Sequence, residues 1–128
     1  MKDITKKWVS FAKEDLKAAE ILFKNKSYKS FFYHCHQAIE KFLKALIIAK
    51  KRRARKTHDL ADLLKESEVK YTKEILEFIY RLNPYYHPIR YPDVVLDFPL
   101  KYDRKTAKEI LKLTKEISRW LLFQVNQK

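Results

Sequence analysis

Apolar side chains recur every three or four positions through Ile4, Trp8, Phe11, Ala12, Leu16, Ala19, Leu22 and Phe23, with lysines and acids filling the gaps. That period predicts an amphipathic helix from about residue 3 to residue 24. A short polar break follows at residues 25–27, where Ser27 is placed to cap a second helix over about residues 28–50. The second helix carries Phe31, Phe32, Cys35, Ala38, Ile39, Phe42, Leu43 and the run Ala45 to Ile48. So broad an apolar arc predicts either a central helix or one that packs both its own core and a second subunit. Polar residues interrupt the arc, and spacings of four put His36, Glu40 and Lys44 on one strip. The strip reads either as an internal polar network or solvated face, or as a ligand-facing one.

Shorter elements follow. Thr57 is placed to cap a helix over about residues 58–66, with Leu60, Leu63 and Leu64 inward. Thr72 is placed to cap another over about residues 73–82, with Ile75, Leu76, Ile79 and Tyr80 as its apolar set. The helical period stops over residues 83–102, where Pro84, Pro88, Pro92 and Pro99 all fall. Proline removes a backbone donor and restricts the residue before it. The aromatics Tyr85, Tyr86, Tyr91, Phe98 and Tyr102 predict that this stretch is pinned to the body. Asp103 then caps a last helix over about residues 104–124, whose inner stripe runs from Ala107 to Leu121. The expected fold is all-α: an antiparallel, up-and-down bundle of four to five helices in a single domain over residues 1–128, with a proline-rich loop before the last helix.

Composition narrows the function classes. The 128 residues include no glycine. Glycine-rich phosphate loops, dinucleotide folds and tight hairpins all need that residue, so those classes are excluded together. Lys plus Arg number 29 against 16 acids, a formal charge of +13, which favours polyanionic partners; a lysine-rich solvated surface is the plainer reading. Lys50, Lys51, Arg52, Arg53, Arg55 and Lys56 lie within seven residues, and their mutual repulsion predicts an exposed loop able to hold RNA phosphates. The single cysteine, Cys35, sits in an apolar run and is expected to be a reduced core residue. Neither a signal-peptide core nor an 18-residue apolar stretch is present, so a cytoplasmic chain without membrane contact is expected.

Candidate chemistry is sparse. The four histidines and one cysteine form no metal-ligand spacing, so neither a metal nor a cofactor is expected. Arg81 and His87 stand six apart, at a helix end and in the loop after it. Histidine can take the proton of a ribose 2′-hydroxyl near neutral pH, and arginine can stabilise charge on phosphate oxygens. Such a pair also arises by chance. Arg90, Tyr91 and Asp93, like Glu40, Lys44 and Tyr86, are candidates either for ligand contact or for anchoring the loop by an internal ion pair.

Four blocks together carry a resemblance. They are Trp8 followed by Ala12, Asp15, Leu16 and Ala19; HCHQAIEKFLKALI from His34; KTHDLADLL from Lys56; and YYHPIRYPD from Tyr85. In that order they resemble the HEPN family of small helical domains. The resemblance implies a four- or five-helix bundle, commonly a homodimer. It also implies a metal-independent endoribonuclease whose arginine and histidine match Arg81 and His87, as the toxin of a pair with a small nucleotidyltransferase. In such members a polar residue usually follows the arginine, whereas Leu82 stands here with Asn83 next. Members carrying the motif Arg90-Tyr91-Pro92-Asp93 often lack the nuclease pair. The alternative implied is therefore a non-catalytic nucleotide- or RNA-binding, protein-interaction domain that partners the nucleotidyltransferase.

Overall fold

A computed structural model describes residues 1–51, 53–86 and 100–128. Among them are five α-helices: α1 (Asp3–Lys24), α2 (Tyr28–Lys50), α3 (Leu60–Ser67), α4 (Lys73–Leu82) and α5 (Arg104–Asn126). A 3₁₀ turn, Asn83–Tyr86, extends α4, and no strand occurs among the described residues. The architecture is an antiparallel helical bundle built around α2.

The breadth of α2's apolar arc has a direct explanation. Phe31, Phe32, Cys35, Ile39, Leu43, Leu46 and Ile47 are all fully buried, and α1, α3, α5 and the 3₁₀ turn all pack on this one helix. The arc is thus covered within a single chain and does not by itself call for a second subunit. Cys35 lies deep in this core, where burial pushes its thiol up to about 12.

The face that α1 buries is largely the one its apolar period suggests, with Ala12 and Ala19 fully buried and Trp8, Leu22 and Phe23 packed against the core. Thr5, Val9, Ala12, Asp15 and Ala19 point inward, while Ile4 and Phe11 stay about half exposed.

Caps set the remaining boundaries. Thr72 accepts from the Ile75 N–H at 3.2 Å and Asp103 from the Thr106 N–H at 2.7 Å, as their positions predicted. Ser27 occupies the cap position of α2 without a side-chain bond. Helix α3 starts two residues later than expected, because Asp59 and not Thr57 caps it. The Asp59 carboxylate takes the Asp62 N–H at 3.1 Å and the Asn83 side-chain amide at 3.2 Å. Asn83 Oδ1 in turn accepts the Leu60 N–H at 2.8 Å. Helix α5 continues two residues beyond its predicted end.

The described ends of the proline-rich stretch are pinned by aromatics. Tyr85 stacks on Phe32 with ring centroids 4.1 Å apart, Tyr102 meets both rings edge-on, and the Tyr85 hydroxyl donates to the Lys101 carbonyl at 2.8 Å. Tyr91 and Phe98 lie outside the described residues. No described helix is long and apolar enough to cross a membrane.

Candidate functional site

Two polar centres flank the junction between α4 and the 3₁₀ turn. The first is an open groove beside Arg81, of about 970 Å³, between the last turn of α4 and the first turns of α5. Arg81, Lys101, Arg104 and Lys105 line it together with Tyr80, Tyr85, Asp103 and Glu109. The four cations outnumber the two carboxylates, so the groove is cationic on balance. Arg81 Nη1 lies 2.6 Å from Glu109 Oε1, and its hydrogen bond holds the Glu109 carboxyl below the usual range. Both partners are about half exposed, so a competing phosphate can reach the guanidinium. Tyr80 is exposed, with the flat ring on which a base can stack.

The second centre is the strip His36, Glu40 and Lys44, which the fold turns into a buried network. Glu40 is nearly sealed from solvent, and Lys44 Nζ reaches its Oε2 at 3.0 Å. Trp8 of α1 closes over the Lys44 ammonium at 5.5 Å from its ring centre. Gln37 Nε2 donates to His36 Nδ1 at 3.4 Å and to Glu40 Oε1 at 3.5 Å. Burial disfavours the charged form of His36 and, despite the nearby Glu40 carboxylate, pushes its pKa down to about 4. At neutral pH His36 is therefore an uncharged packing residue.

His58, which spacing along the chain did not single out, completes this network. It precedes α3, and its Nδ1 meets Glu40 Oε1 at 2.9 Å, the imidazole N–H donating to the carboxylate oxygen. Its ring stacks on Tyr86 at 4.5 Å with an interplanar angle of 16°. Glu40 and His58 are 18 residues apart, and no periodicity connects them; the KTHDLADLL block is the only trace of the pair in the chain. A second pairing was equally hidden. Asp15 of α1 meets His34 at 2.8 Å and Lys41 at 2.5 Å on α2. Burial opposes the Asp15 charge, but these two hydrogen bonds outweigh it and hold the carboxyl below its ordinary value.

The basic run divides. Lys50 Nζ is tied to the Ser67 carbonyl at 2.5 Å, while Lys51 bonds the Glu66 carbonyl at 3.3 Å and the Glu68 carboxylate at 2.8 Å. Both lysines thus satisfy the open C-terminal carbonyls of α3. Arg53 and Lys56 are exposed, and Arg55 reaches Asp62 only at 3.9 Å. Arg52, His87, Arg90, Tyr91 and Asp93 lie outside the described residues. Among the described residues no three His, Cys, Asp or Glu side chains group as metal ligands do.

A helical bundle with a cationic groove at one helix junction and a buried polar strip on its central helix defines a class of small α-helical domains. The HEPN domain family model matches residues 5–124, and the chain belongs to that family. It is similar over nearly its whole length to two solved structures. TT1696 from Thermus thermophilus is 28% identical with a TM-score of 0.83, covering 96% of this chain and 99% of that one. ST0689, an archaeal HEPN homologue, is 26% identical with a TM-score of 0.76, covering 98% and 99%. No curated protein matches the chain.

Proposed function

We propose that this HEPN protein binds single-stranded RNA along the Arg81 groove and cleaves it without a metal, as the toxin of a pair with a small nucleotidyltransferase. The observation that carries the reading is the company Arg81 keeps. Three further cations and the exposed ring of Tyr80 share one groove with it, which is the chemistry that holds phosphates and stacks bases. Arg81 acts as phosphate clamp and His87, six residues on, takes the 2′-hydroxyl proton. The ion pair to Glu109 does not block this role. Exposed pairs contribute roughly 0–1 kcal/mol, less than a hydrogen bond to a charged group gives, so a phosphate can displace the carboxylate.

One observation favours the non-catalytic alternative, a nucleotide- or RNA-binding domain that docks on the nucleotidyltransferase. Leu82, where a polar residue usually follows the arginine, is fully buried, and Asn83 is committed to Asp59 and Leu60. Purified protein, labelled RNA and excess chelator separate the two. Under the nuclease reading His87→Ala lowers cleavage about 100- to 10,000-fold while RNA binding persists, and Arg81→Ala weakens both. RNA retained but never cut supports the binding domain. We further propose that the protein is a cytoplasmic homodimer; a monomer by light scattering at micromolar concentration overturns the dimer.

A further inference from the structure

The cations of this molecule differ in whether anything holds them. Lys41 is paired with Asp15 and Lys44 with Glu40, while Lys50 and Lys51 serve the carbonyls at the end of α3. Lys24, Lys26, Lys29, Lys101, Arg104 and Lys105 are exposed, and among the described residues none of them is ion-paired. Residues 21–33 contain no acid, so the end of the bundle where α1 turns into α2 carries positive charge without local relief. We propose that single-stranded RNA leaving the Arg81 groove continues over Arg104 onto this turn, where Lys24, Lys26 and Lys29 hold its phosphates. The track presupposes RNA in the Arg81 groove and lengthens the strand that the protein holds.

Two series of side-chain contacts join the groove to the turn. Arg104 lines the groove, and its guanidinium lies 5.2 Å from the ring centre of Phe23 in the last turn of α1. Tyr85 also lines the groove and meets Tyr102 edge-on, and the Lys29 ammonium stands 5.6 Å from the Tyr102 ring centre. Phe23 and Tyr28 face each other across the turn with ring centres 6.0 Å apart. A ring beneath a cation holds it by packing and by its quadrupole, and leaves the N–H groups open, whereas a carboxylate occupies them. Arg104 and Lys29 are thus fixed in place and still open to a phosphate. The exposed Tyr80 ring in the groove takes an unpaired base, so the strand that reaches the turn is single.

The backbone of the turn bears on the same point. Lys26 has φ 60°, in the left-handed region where glycine is the ordinary residue. Its N–H and that of Ser27 close the end of α1 on the carbonyls of Phe23 and Leu22 at 3.1 and 2.9 Å. A side chain in that conformation strains the backbone, and no packing offsets the strain, because Lys26 is exposed. Lysine there lowers stability and sets a charge at the tip of the turn. The basic run that follows Lys50 lies at the opposite end of α2, whose 23 residues span about 35 Å.

The test measures binding of 2′-O-methyl oligouridylates, which 2′-attack cannot cut, of about four and about sixteen nucleotides across a salt series. Wild type is expected to bind the longer strand more tightly. The triple variant Lys24→Gln, Lys26→Gln, Lys29→Gln is expected to weaken binding of the longer strand, with little change on the shorter. Its slope of log affinity against log salt is expected to flatten by roughly 2, three phosphates at about 0.7 each. The triple variant Arg53→Gln, Arg55→Gln, Lys56→Gln removes the same charge elsewhere and is expected to keep a slope near that of wild type. Lys26→Gly is expected to melt at or above the wild-type temperature and to flatten the slope by about 0.7, opposite effects that a lysine kept for the fold does not give. If the first triple variant binds the longer strand as wild type does, loses as much on the shorter, or is matched by the second, the track falls; the groove then stands on the loss caused by Arg81→Ala. If wild type binds neither strand, or Arg81→Ala binds both as wild type does, RNA is not in the groove and the track falls with it.

Discussion

The Arg81–Glu109 pair and the Glu40 network both join a cation to a carboxylate, yet they are built for opposite ends. Arg81 and Glu109 meet on the surface, with each side chain about half exposed. Water screens their attraction, and either partner can be exchanged at small cost. Glu40 and Lys44 meet inside the bundle, with only 3% and 10% of their side chains exposed. There the attraction is strong, but so is the penalty for leaving one charge alone. An exposed pair can open for a ligand; a sealed one can hold a neighbouring group, here His58, in a single orientation. The same ionic chemistry becomes a replaceable contact or a fixed scaffold according to its burial.

The comparison can be broken most severely from the inside. Glu40→Ala strands the Lys44 ammonium and removes the acceptor of His58, so denaturant unfolding is expected to show a loss of about 3–5 kcal/mol. A loss under about 1 kcal/mol means that water already reaches the network and that the contrast with Arg81 is false.

A pH titration of stability probes the same region more gently. The folded pKa of His36 is lowered to about 4 from an ordinary 6.5, so between those values the unfolded chain binds the extra proton. Stability from this residue is therefore complete above about pH 6.5 and is lost as pH falls toward 4, by roughly 3 kcal/mol in all. His36→Phe keeps the ring buried and cannot titrate, and it is expected to flatten that part of the curve. Asp15, whose carboxyl is held below its usual value, loses its contribution only at lower pH, as the solution passes below the ordinary carboxylate range.

The smallest effect is expected at the surface. Glu109→Gln releases Arg81 and is expected to change stability by less than about 1 kcal/mol. RNA binding is expected to tighten, and the slope of log affinity against log salt to steepen by about 0.7, one added phosphate contact on a single strand. Unchanged binding and slope place the RNA elsewhere on the molecule.

Much of this molecule is a consequence of local pattern. The absence of glycine, the helical periods and the caps Thr72 and Asp103 are properties of short stretches of chain, and α1, α2 and α4 follow them residue by residue. Helix formation is a short-range event, with bonds from each residue to the fourth before it, so its signals are readable in order. Arg81 was singled out by the same local signals, standing at the end of α4 six residues before His87, which lies outside the described residues. Tertiary packing decided the rest. Packing put Thr5 and Asp15 of α1 inside and left Ile4 and Phe11 exposed, and Asn83 reaches back 24 residues to bind the Asp59 that caps α3. Glu40 became an anchor for His58, and Asp15 for His34 and Lys41, only when separate helices met. Whether a charged residue on an apolar helix is a solvated decoration or a buried scaffold depends on what covers it, and that covering comes from parts of the chain that no local period connects to it.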